Sequence, residues 1–292
     1  MQNLIIKLNA TGDVVRTTPL LSKLTGEVTW ITAANNVALL EGIAPGLRVL
    51  SWDDRQRATD RSYDLLLNLE DELTTAEFAA GIDHRRIFGA YAVGQGGVRH
   101  TEDSNAWFDL SLISRFGRKR ADELKLLNRR SYQDLIFEGL GWRFEGQPYR
   151  LPKPRPTGLV GDVALAPVAG PAWPMKNWAY YGELRQALEG SGYTVNVLPK
   201  RPTLLEHLGD IAGHRMLVSG DSLPMHLALG LGLRCVTLFT CTSPWEIHGY
   251  GLQDQVISPA LERYFYRRDY DVAATAAIPM ADVLDIAVKS LV

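Results

Sequence analysis

Residues 1–21, MQNLIIKLNATGDVVRTTPLL, contain the pattern that decides the fold of this chain. The apolar run 4–8 predicts a buried strand, and apolar residues at helical spacing follow from Val14. Asp13 therefore lies where a strand ends and a helix begins. Helix N-termini favour anions, and α/β sheets bind ligands at the carboxyl ends of their strands. This turn indicates a ligand site, although Asp is also a preferred helix cap and a capping role stays open.

Composition excludes several classes of protein. The 292 residues allow two domains, and 46 % are hydrophobic, as in ordinary globular chains. A net charge of −2 gives no overall attraction to nucleic acid or anionic membranes. The pattern predicts neither a secretory leader nor a membrane-spanning helix, so we expect a cytoplasmic protein. Cys235 and Cys241 make neither a disulfide framework nor a zinc site, and we expect buried, reduced thiols.

Strand and helix patterns alternate along both halves of the chain. In the first half, strands are predicted over 4–8, 28–32, 49–52, 65–69 and 86–90, with helices over 13–24, 36–40, 71–80 and 122–140. In the second half, strands are predicted over 163–166, 194–198, 216–219 and 235–239, with helices over 178–189, 203–212, 222–231 and 280–292. Short apolar strands separated by helices favour parallel sheets covered on both faces.

A Pro-rich segment separates the two halves. It divides the chain into a first domain (1–150), a linker (151–158), a second domain (159–278) and a closing helical segment (279–292). Two α/β domains joined in this way would face each other across a cleft.

The second half carries a further candidate anion site in the segment VSGDSLPMH, residues 218–226. Asp221 and Ser222 follow a strand and begin a helix, and His226 lies about one turn beyond Ser222. Backbone N–H groups, a hydroxyl and an imidazole at a helix N-terminus suit an anion. An N-capping pair beside a core histidine is the simpler alternative.

Two more loops open at the same edge of the predicted sheet. Lys176 ends the loop 167–178 and would hold a phosphate as a point charge, or lie solvated on the surface. The loop 239–245 follows the strand after His226. In the first half, a basic cluster centred on Arg118, Lys119 and Arg120 suits a phosphorylated or carboxylated glycolipid acceptor, with solvated helix faces as the alternative.

Taken in order, these motifs resemble glycosyltransferase family 9, the lipopolysaccharide heptosyltransferases that use ADP-heptose. The resemblance is carried by the Gly12-Asp13 turn with TTPLL at 17–21, by KNW at 176–178, by DSLPMH at 221–226, and by LFTCTSP at 238–244 with GYG at 249–251. Together these segments span nearly the whole chain.

The resemblance implies a GT-B fold with two Rossmann-like domains facing a cleft. It implies an inverting, metal-independent transferase that needs no cofactor beyond its nucleotide-sugar co-substrate, ADP-heptose. Asp13 would be the general base, and Lys176, Asp221, Ser222 and His226 would hold the donor. The acceptor would be a lipopolysaccharide-core or related glycan at the inner membrane's cytoplasmic face, and the terminal helix would pack across the first domain.

This chain departs from the family pattern in its second domain. Leu223 stands where the family has Gly, and Pro171, Ala172 and Trp173 stand where it usually has Ser or Thr. One strand–helix unit is missing by sequence after Gly192, so the identity of the nucleotide stays open. The alternatives are the same fold with another nucleotide sugar or a protein acceptor, and a non-catalytic nucleotide-binding relative.

Overall fold

The computed structural model describes residues 1–94 and 96–291, and the chain divides into two compact units. The first is Met1–Pro152 and the second is Lys153–Val292. The division falls within the Pro-rich segment that the sequence marks as a boundary.

The first unit is built on a six-stranded sheet. Its strands are β1 (Gln2–Ile6), β2 (Glu27–Thr32), β3 (Leu47–Ser51), β4 (Leu65–Asn68), β5 (Ile87–Val93) and β6 (Gly97–His100). The order is β3-β2-β1-β4-β5-β6, and every pairing is parallel except that of β5 with β6. The chain winds outward from β1 to β3 and then returns to β4 on the other side of β1. Open α/β sheets bind ligands at the carboxyl ends of strands at such a reversal, so this unit's expected site lies beyond β1 and β4.

Helices cover both faces of this sheet. The helices of the first unit are α1 (Thr11–Thr17), α2 (Val37–Leu40), α3 (Leu73–Ala80), α4 (Asn105–Phe108), α5 (Arg118–Leu127) and α6 (Tyr132–Gly139). Ile5 packs into one core with Trp30 and Phe137, whereas Leu4 and Ile6 pack into a second core. Burial on both faces explains why β1 reads as a continuous apolar run.

The second unit has a five-stranded sheet in which every pairing is parallel. Its strands are β7 (Gly161–Ala166), β8 (Val195–Val197), β9 (His214–Gly220), β10 (Arg234–Phe239) and β11 (Gln253–Ile257). Their order is β11-β10-β9-β7-β8, so the winding direction reverses between β7 and β9. The loops that follow these two strands are therefore the expected ligand loops of the second unit.

The helices of the second unit are α7 (Tyr181–Gly190), α8 (Leu204–Ala212), α9 (Leu223–Gly230), α10 (Leu261–Tyr264), α11 (Val272–Thr275) and α12 (Met280–Leu291). The closing helix α12 buries Val283 and Ala287 in a core shared with Val163 of β7. Arg215 donates from Nη2 to the Leu291 carbonyl at 2.7 Å. The segment that the sequence placed after the second domain thus packs as part of it; its last predicted residue, Val292, lies outside the described residues.

The structure differs from the sequence predictions in several elements. The helix predicted over 13–24 ends as α1 at Thr17 and continues as a 3-10 helix over Thr18–Ser22. The single helix over 122–140 is wrong: α5 ends at Leu127, and α6 begins anew with a reciprocal capping box between Ser131 and Asp134. Strands β6 and β11 are not predicted from the sequence patterns.

Along residues 1–94 and 96–291, no helix is both long and apolar enough to cross a membrane.

Candidate functional site

Asp13 lies in the first turn of α1, beyond the carboxyl end of β1. The N-cap is Ala10, with φ 53°, a left-handed conformation uncommon for a residue with a side chain. The Ala10 carbonyl accepts hydrogen bonds from the backbone N–H groups of Asp13 at 2.7 Å and Val14 at 3.1 Å. Ala10, and not Asp13, is therefore the N-cap residue of α1, and Asp13 is the acidic residue of its first turn. Its carboxylate projects from the third helical position instead.

Two cations flank the Asp13 carboxylate. Arg16 Nε is 3.0 Å from Oδ1, and Lys7 Nζ is 3.9 Å from Oδ2. The Asp13 side chain is 30 % exposed, whereas that of Lys7 is 7 % exposed. The carboxylate is therefore held in place by buried charge while part of it remains reachable from solvent, as proton transfer to an external group requires.

Glu70, just beyond β4, fixes the turn that carries Asp13. Its Oε1 accepts hydrogen bonds from Lys7 Nζ at 2.8 Å, Leu8 N at 2.7 Å and Asn9 N at 3.1 Å. Burial lowers the pKa of Lys7, but the carboxylates of Glu70 and Asp13 outweigh burial and raise it above its ordinary value. Lys7 is thus a permanent cation inside the first unit, held where the winding of the sheet reverses.

Tyr132, at the start of α6, orients Arg16. The Arg16 guanidinium lies 4.1 Å from the centre of the Tyr132 ring. Thr17 Oγ1 donates to the Asp13 carbonyl at 2.6 Å, so at 2.7 Å the Tyr132 hydroxyl is the donor to Thr17. Burial raises the pKa of Tyr132 to about 12, so its phenol stays protonated.

In the second unit, Lys176 and Asp221 form an ion pair where the winding reverses between β7 and β9. Lys176 Nζ donates to the Asp221 carbonyl at 2.5 Å and to Oδ2 at 3.0 Å. The side chains are only 9 % and 15 % exposed. Burial alone would raise the pKa of Asp221, but the charges of Lys176 and His226 lower it to about 2. The alternative of a solvated surface lysine is therefore wrong.

The loop after β9 leads directly into α9. Ser222 is the N-cap residue of α9, but its Oγ donates to the Gly220 carbonyl at 3.3 Å and accepts no capping hydrogen bond from the first turn. Leu223, at the first helical position, is half-buried, and His226 is buried one turn further along. Pro224 has no N–H group, and the Met225 N–H donates to the Ser222 carbonyl at 3.1 Å. The Leu223 N–H is therefore the first-turn donor of α9 that can bind an anion beside Lys176.

A tryptophan that the sequence marked only as a departure lies beside this pair. The Trp173 ring centre is 5.3 Å from Lys176 Nζ and 3.6 Å from the exposed Arg268 guanidinium. Tyr266 packs edge-on against Trp173 at 5.3 Å, and its backbone N–H donates to the Cys241 carbonyl at 2.9 Å. The Trp173 indole therefore lies beside two cations, Lys176 and Arg268, at one edge of the loop. The run of basic and aromatic residues at 263–268 was the available signal.

Arg118, Lys119 and Arg120 lie on the exposed helix α5. Arg118 pairs with Asp122 at 3.1 Å, and Arg120 pairs with Glu123 at 2.8 Å, both along the helix. These pairs leave the cations at the surface. That position is compatible with binding an acceptor's phosphate or carboxylate and with a solvated helix face.

The structure thus brings Lys176, Asp221, Ser222 and His226 to one edge of the second sheet. It places Asp13 at the corresponding edge of the first sheet. Sequence reasoning missed the partners that hold these residues: Lys7, Arg16, Glu70, Tyr132, Trp173 and Arg268. Within the described ranges, no three His, Cys, Asp or Glu side chains are grouped as ligands of a metal ion.

Comparison with known proteins places this geometry in context. The profile of glycosyltransferase family 9 (heptosyltransferase) matches residues 177–273, which include Asp221, Ser222 and His226 and begin one residue after Lys176. No curated protein sequence matches the chain significantly.

Solved structures match nearly the whole chain. The glycosyl transferase family 9 from Veillonella parvula has a TM-score of 0.68 at 15 % identity, covering 99 % of this chain and 97 % of that chain. E. coli heptosyltransferase WaaC with ADP has a TM-score of 0.67 at 16 % identity, covering 99 % and 100 %. E. coli ADP-heptose lps heptosyltransferase II has a TM-score of 0.60 at 17 % identity, covering 100 % and 98 %.

These matches confirm two predictions. The likeness of the whole chain establishes the GT-B fold class, with one largely parallel and one fully parallel α/β sheet. The resemblance to family 9 is confirmed over residues 177–273. Together, the family match and the fold support a glycosyltransferase.

Proposed function

We propose that this protein is an inverting, metal-independent glycosyltransferase that moves heptose from ADP-heptose to a hydroxyl of a lipopolysaccharide-core or related glycan. The observation that carries the proposal is the Lys176–Asp221 pair beside the N-terminus of α9, where the second sheet reverses its winding. It adjoins the region matched by family 9, and a similar structure holds ADP.

The donor diphosphate is assigned to the second unit. The Lys176 ammonium is fixed by the Asp221 carbonyl and carboxylate, which leaves its third N–H free to point at a phosphate oxygen. The Leu223 N–H at the start of α9 adds a further donor, and the Ser222 hydroxyl adds another when it turns from the Gly220 carbonyl to the phosphate. The Asp221 carboxylate accepts hydrogen bonds from sugar hydroxyls, and His226 donates to the remaining phosphate oxygens. These fixed charges stabilise the negative charge that develops as the diphosphate leaves.

Asp13 is assigned as the general base. The acceptor oxygen attacks the anomeric carbon while its proton passes to the Asp13 carboxylate. The bond from the anomeric carbon to the diphosphate oxygen breaks, and its electron pair leaves with ADP. One displacement from the opposite face inverts the anomeric centre. Lys7 and Arg16 favour the ionised carboxylate, so the base is ready before the acceptor binds.

The acceptor's phosphate or carboxylate groups are assigned to Arg118, Lys119 and Arg120 on α5. The proposed setting is the cytoplasm, with acceptors presented at the inner membrane. A KM for acceptor that rises with salt, and that rises further in Arg118→Gln, supports this assignment. An unchanged KM in that variant contradicts it.

The base assignment is tested with Asp13→Asn, which keeps the shape and removes the charge. We expect transfer to fall by about 10²–10⁴-fold, the usual contribution of a general base. ADP binding measured by calorimetry should be retained. Asp60→Asn, an exposed aspartate of the same unit, is the matched control. Native-rate transfer by Asp13→Asn would refute the role of Asp13, and a loss of rate in EDTA would refute metal independence.

The donor assignment is tested by thermal unfolding with ADP, UDP, GDP and CMP. A ligand at 100 times its Kd stabilises the folded chain by about 2.7 kcal/mol. Stabilisation by ADP alone supports ADP-heptose, and preference for another nucleotide contradicts it. If no nucleotide stabilises the protein and a donor-screened assay shows no transfer, the chain is a non-catalytic relative.

A further inference from the structure

Exposed apolar side chains are concentrated in one segment of the first unit. Among its described residues, four large apolar side chains are largely exposed, and three of these lie within residues 112–127. Leu112 is 62 % exposed, Phe116 is 57 % exposed and Leu127 is 64 % exposed. Single exposed apolar residues need no explanation, but three in one short segment indicate contact with an apolar phase.

The same segment carries a local excess of positive charge. Residues 112–130 hold seven Lys or Arg and two Asp or Glu, a net charge of +5 in a chain of net charge −2. Arg115 lies over the ring of the exposed Phe116, with 5.3 Å from the guanidinium carbon to the ring centre. Cations and exposed apolar groups are therefore interleaved, as in helices that lie at membrane interfaces.

Helix geometry puts a cation and an exposed apolar side chain on one face of α5. The ten residues Arg118–Leu127 span about 15 Å. Ala121 is the buried residue of this helix, and Lys119 and Arg120 are exposed. Leu127 follows Arg120 by seven residues, which is two turns, so the two side chains share a face. Phe116 precedes α5, so exposed apolar groups lie near both ends of the helix.

We infer that the basic apolar segment, residues 112–130, docks on the surface of a bilayer that contains anionic lipids. Leu112, Phe116 and Leu127 enter the headgroup boundary, and the cations of α5 meet lipid phosphates. Arg115 and Arg130 pair with Asp109 and Glu138 outside the segment, and counting these two carboxylates leaves a net charge of +3. Charge complementarity selects this occupant over an apolar protein face, since anionic headgroups offer opposite charge to that excess and an apolar face offers none. The inference goes beyond the proposed transfer and does not need it, although docking would bring a glycolipid acceptor within reach.

The experiment is vesicle flotation with the purified full chain, without donor or acceptor. Vesicles contain phosphatidylcholine alone or with about a third phosphatidylglycerol. We expect binding to the anionic vesicles only, weakened by salt. Each surface cation contributes about fivefold to binding, so Lys119→Gln/Arg120→Gln should weaken it by about 30-fold. Phe116→Ser/Leu127→Ser should weaken it by at least tenfold.

Matched controls remove similar groups elsewhere. Arg85→Gln/Arg99→Gln removes two exposed arginines of the first unit, and Val160→Ser/Val272→Ser removes two exposed apolar groups of the second. Both should bind like the parent, and circular dichroism confirms folding of every variant. Equal binding to neutral vesicles, no binding to either, or equal losses in controls and test variants would overturn the inference. Anionic-vesicle binding by a chain that transfers no sugar supports it and counts against the proposed function alone.

Discussion

Replacing Glu70 by Gln should destabilise the first unit and change the pH dependence of transfer. Glu70 and Lys7 are a buried ion pair, with side chains 6 % and 7 % exposed and 2.8 Å between Lys7 Nζ and Glu70 Oε1. Removing one partner of a buried pair costs about 3–5 kcal/mol because the other charge stays buried without compensation. Asp13, 3.9 Å from Lys7, compensates in part, so we expect the lower end, about 3 kcal/mol.

The pairing itself is tested by a double-mutant cycle. Lys7→Met leaves the Glu70 carboxylate with only the N–H groups of Leu8 and Asn9, and we expect a similar loss, about 3 kcal/mol. The double variant Lys7→Met/Glu70→Gln leaves no charge buried. It should lose less stability than either single variant, because each single variant leaves one buried charge without its partner and the double variant does not.

The assay must report on one unit, because a chain of two units need not unfold in a single transition. Pulsed hydrogen exchange along a urea series, read by mass spectrometry on peptides covering β1 and β4, measures the first unit alone. In Glu70→Gln, Asp13 is the carboxylate that remains beside the Lys7 ammonium, which favours the ionised form of Asp13. The fall of kcat/KM on the acid side of the pH profile should therefore occur at lower pH. If both single variants unfold at the same urea concentration as the parent, the Glu70–Lys7 pair does not stabilise the turn that carries Asp13.

Three further predictions concern the second unit. The pKa of Asp221, about 2 against 3.8 unfolded, stabilises the fold above about pH 4; about 2 kcal/mol is lost as the pH falls from 4 to 2. Asp221→Asn should remove that slope, and an unchanged slope in urea titrations would contradict the assignment. Trp173→Leu removes the ring beneath two cations and should weaken ADP binding about tenfold by calorimetry, whereas an unchanged Kd would exclude the ring from the donor site. Gly209→Ala would place a Cβ 1.8 Å from the Arg155 carbonyl oxygen and should cost about 2 kcal/mol or more. Gly182→Ala, with open space around it in α7, should gain about 0.5–1 kcal/mol, and equal stability of the two variants would contradict the packing.

The sequence predicts the strands well where burial on both faces makes an apolar run, as at Leu4–Ile6 of β1. It predicts the site loops because Asp221 directly follows the strand β9 and Lys176 lies in the loop that follows β7. It misses β11, since the sequence QDQVI at this edge of the sheet carries only two apolar residues. It also misses the break between α5 and α6, although Ser131 and Asp134 have the spacing of a capping box.

The partners of the site residues lie beyond sequence reasoning. In the sequence, Lys7 is a charged residue near the end of an apolar strand, and no neighbouring residue indicates that its side chain is buried. Its counter-ion, Glu70, is 63 residues away and reaches it only because β4 pairs with β1. Tyr132 reaches Thr17 across 115 residues through the packing of α6 on α1. Long-range partners follow from sheet order, which local patterns do not encode.

The capping box at Ser131 has a consequence for local unfolding. Because Ser131 and Asp134 satisfy each other's backbone N–H groups, α6 begins without support from the helix before it. Helix α6 buries five residues, including Tyr132, whereas in α5, described throughout, Ala121 alone is fully buried. Helix α5 can therefore unravel while the sheet stays intact. A brief tryptic digest should nick the chain between Arg118 and Lys125 first, and the two fragments should stay associated under native conditions.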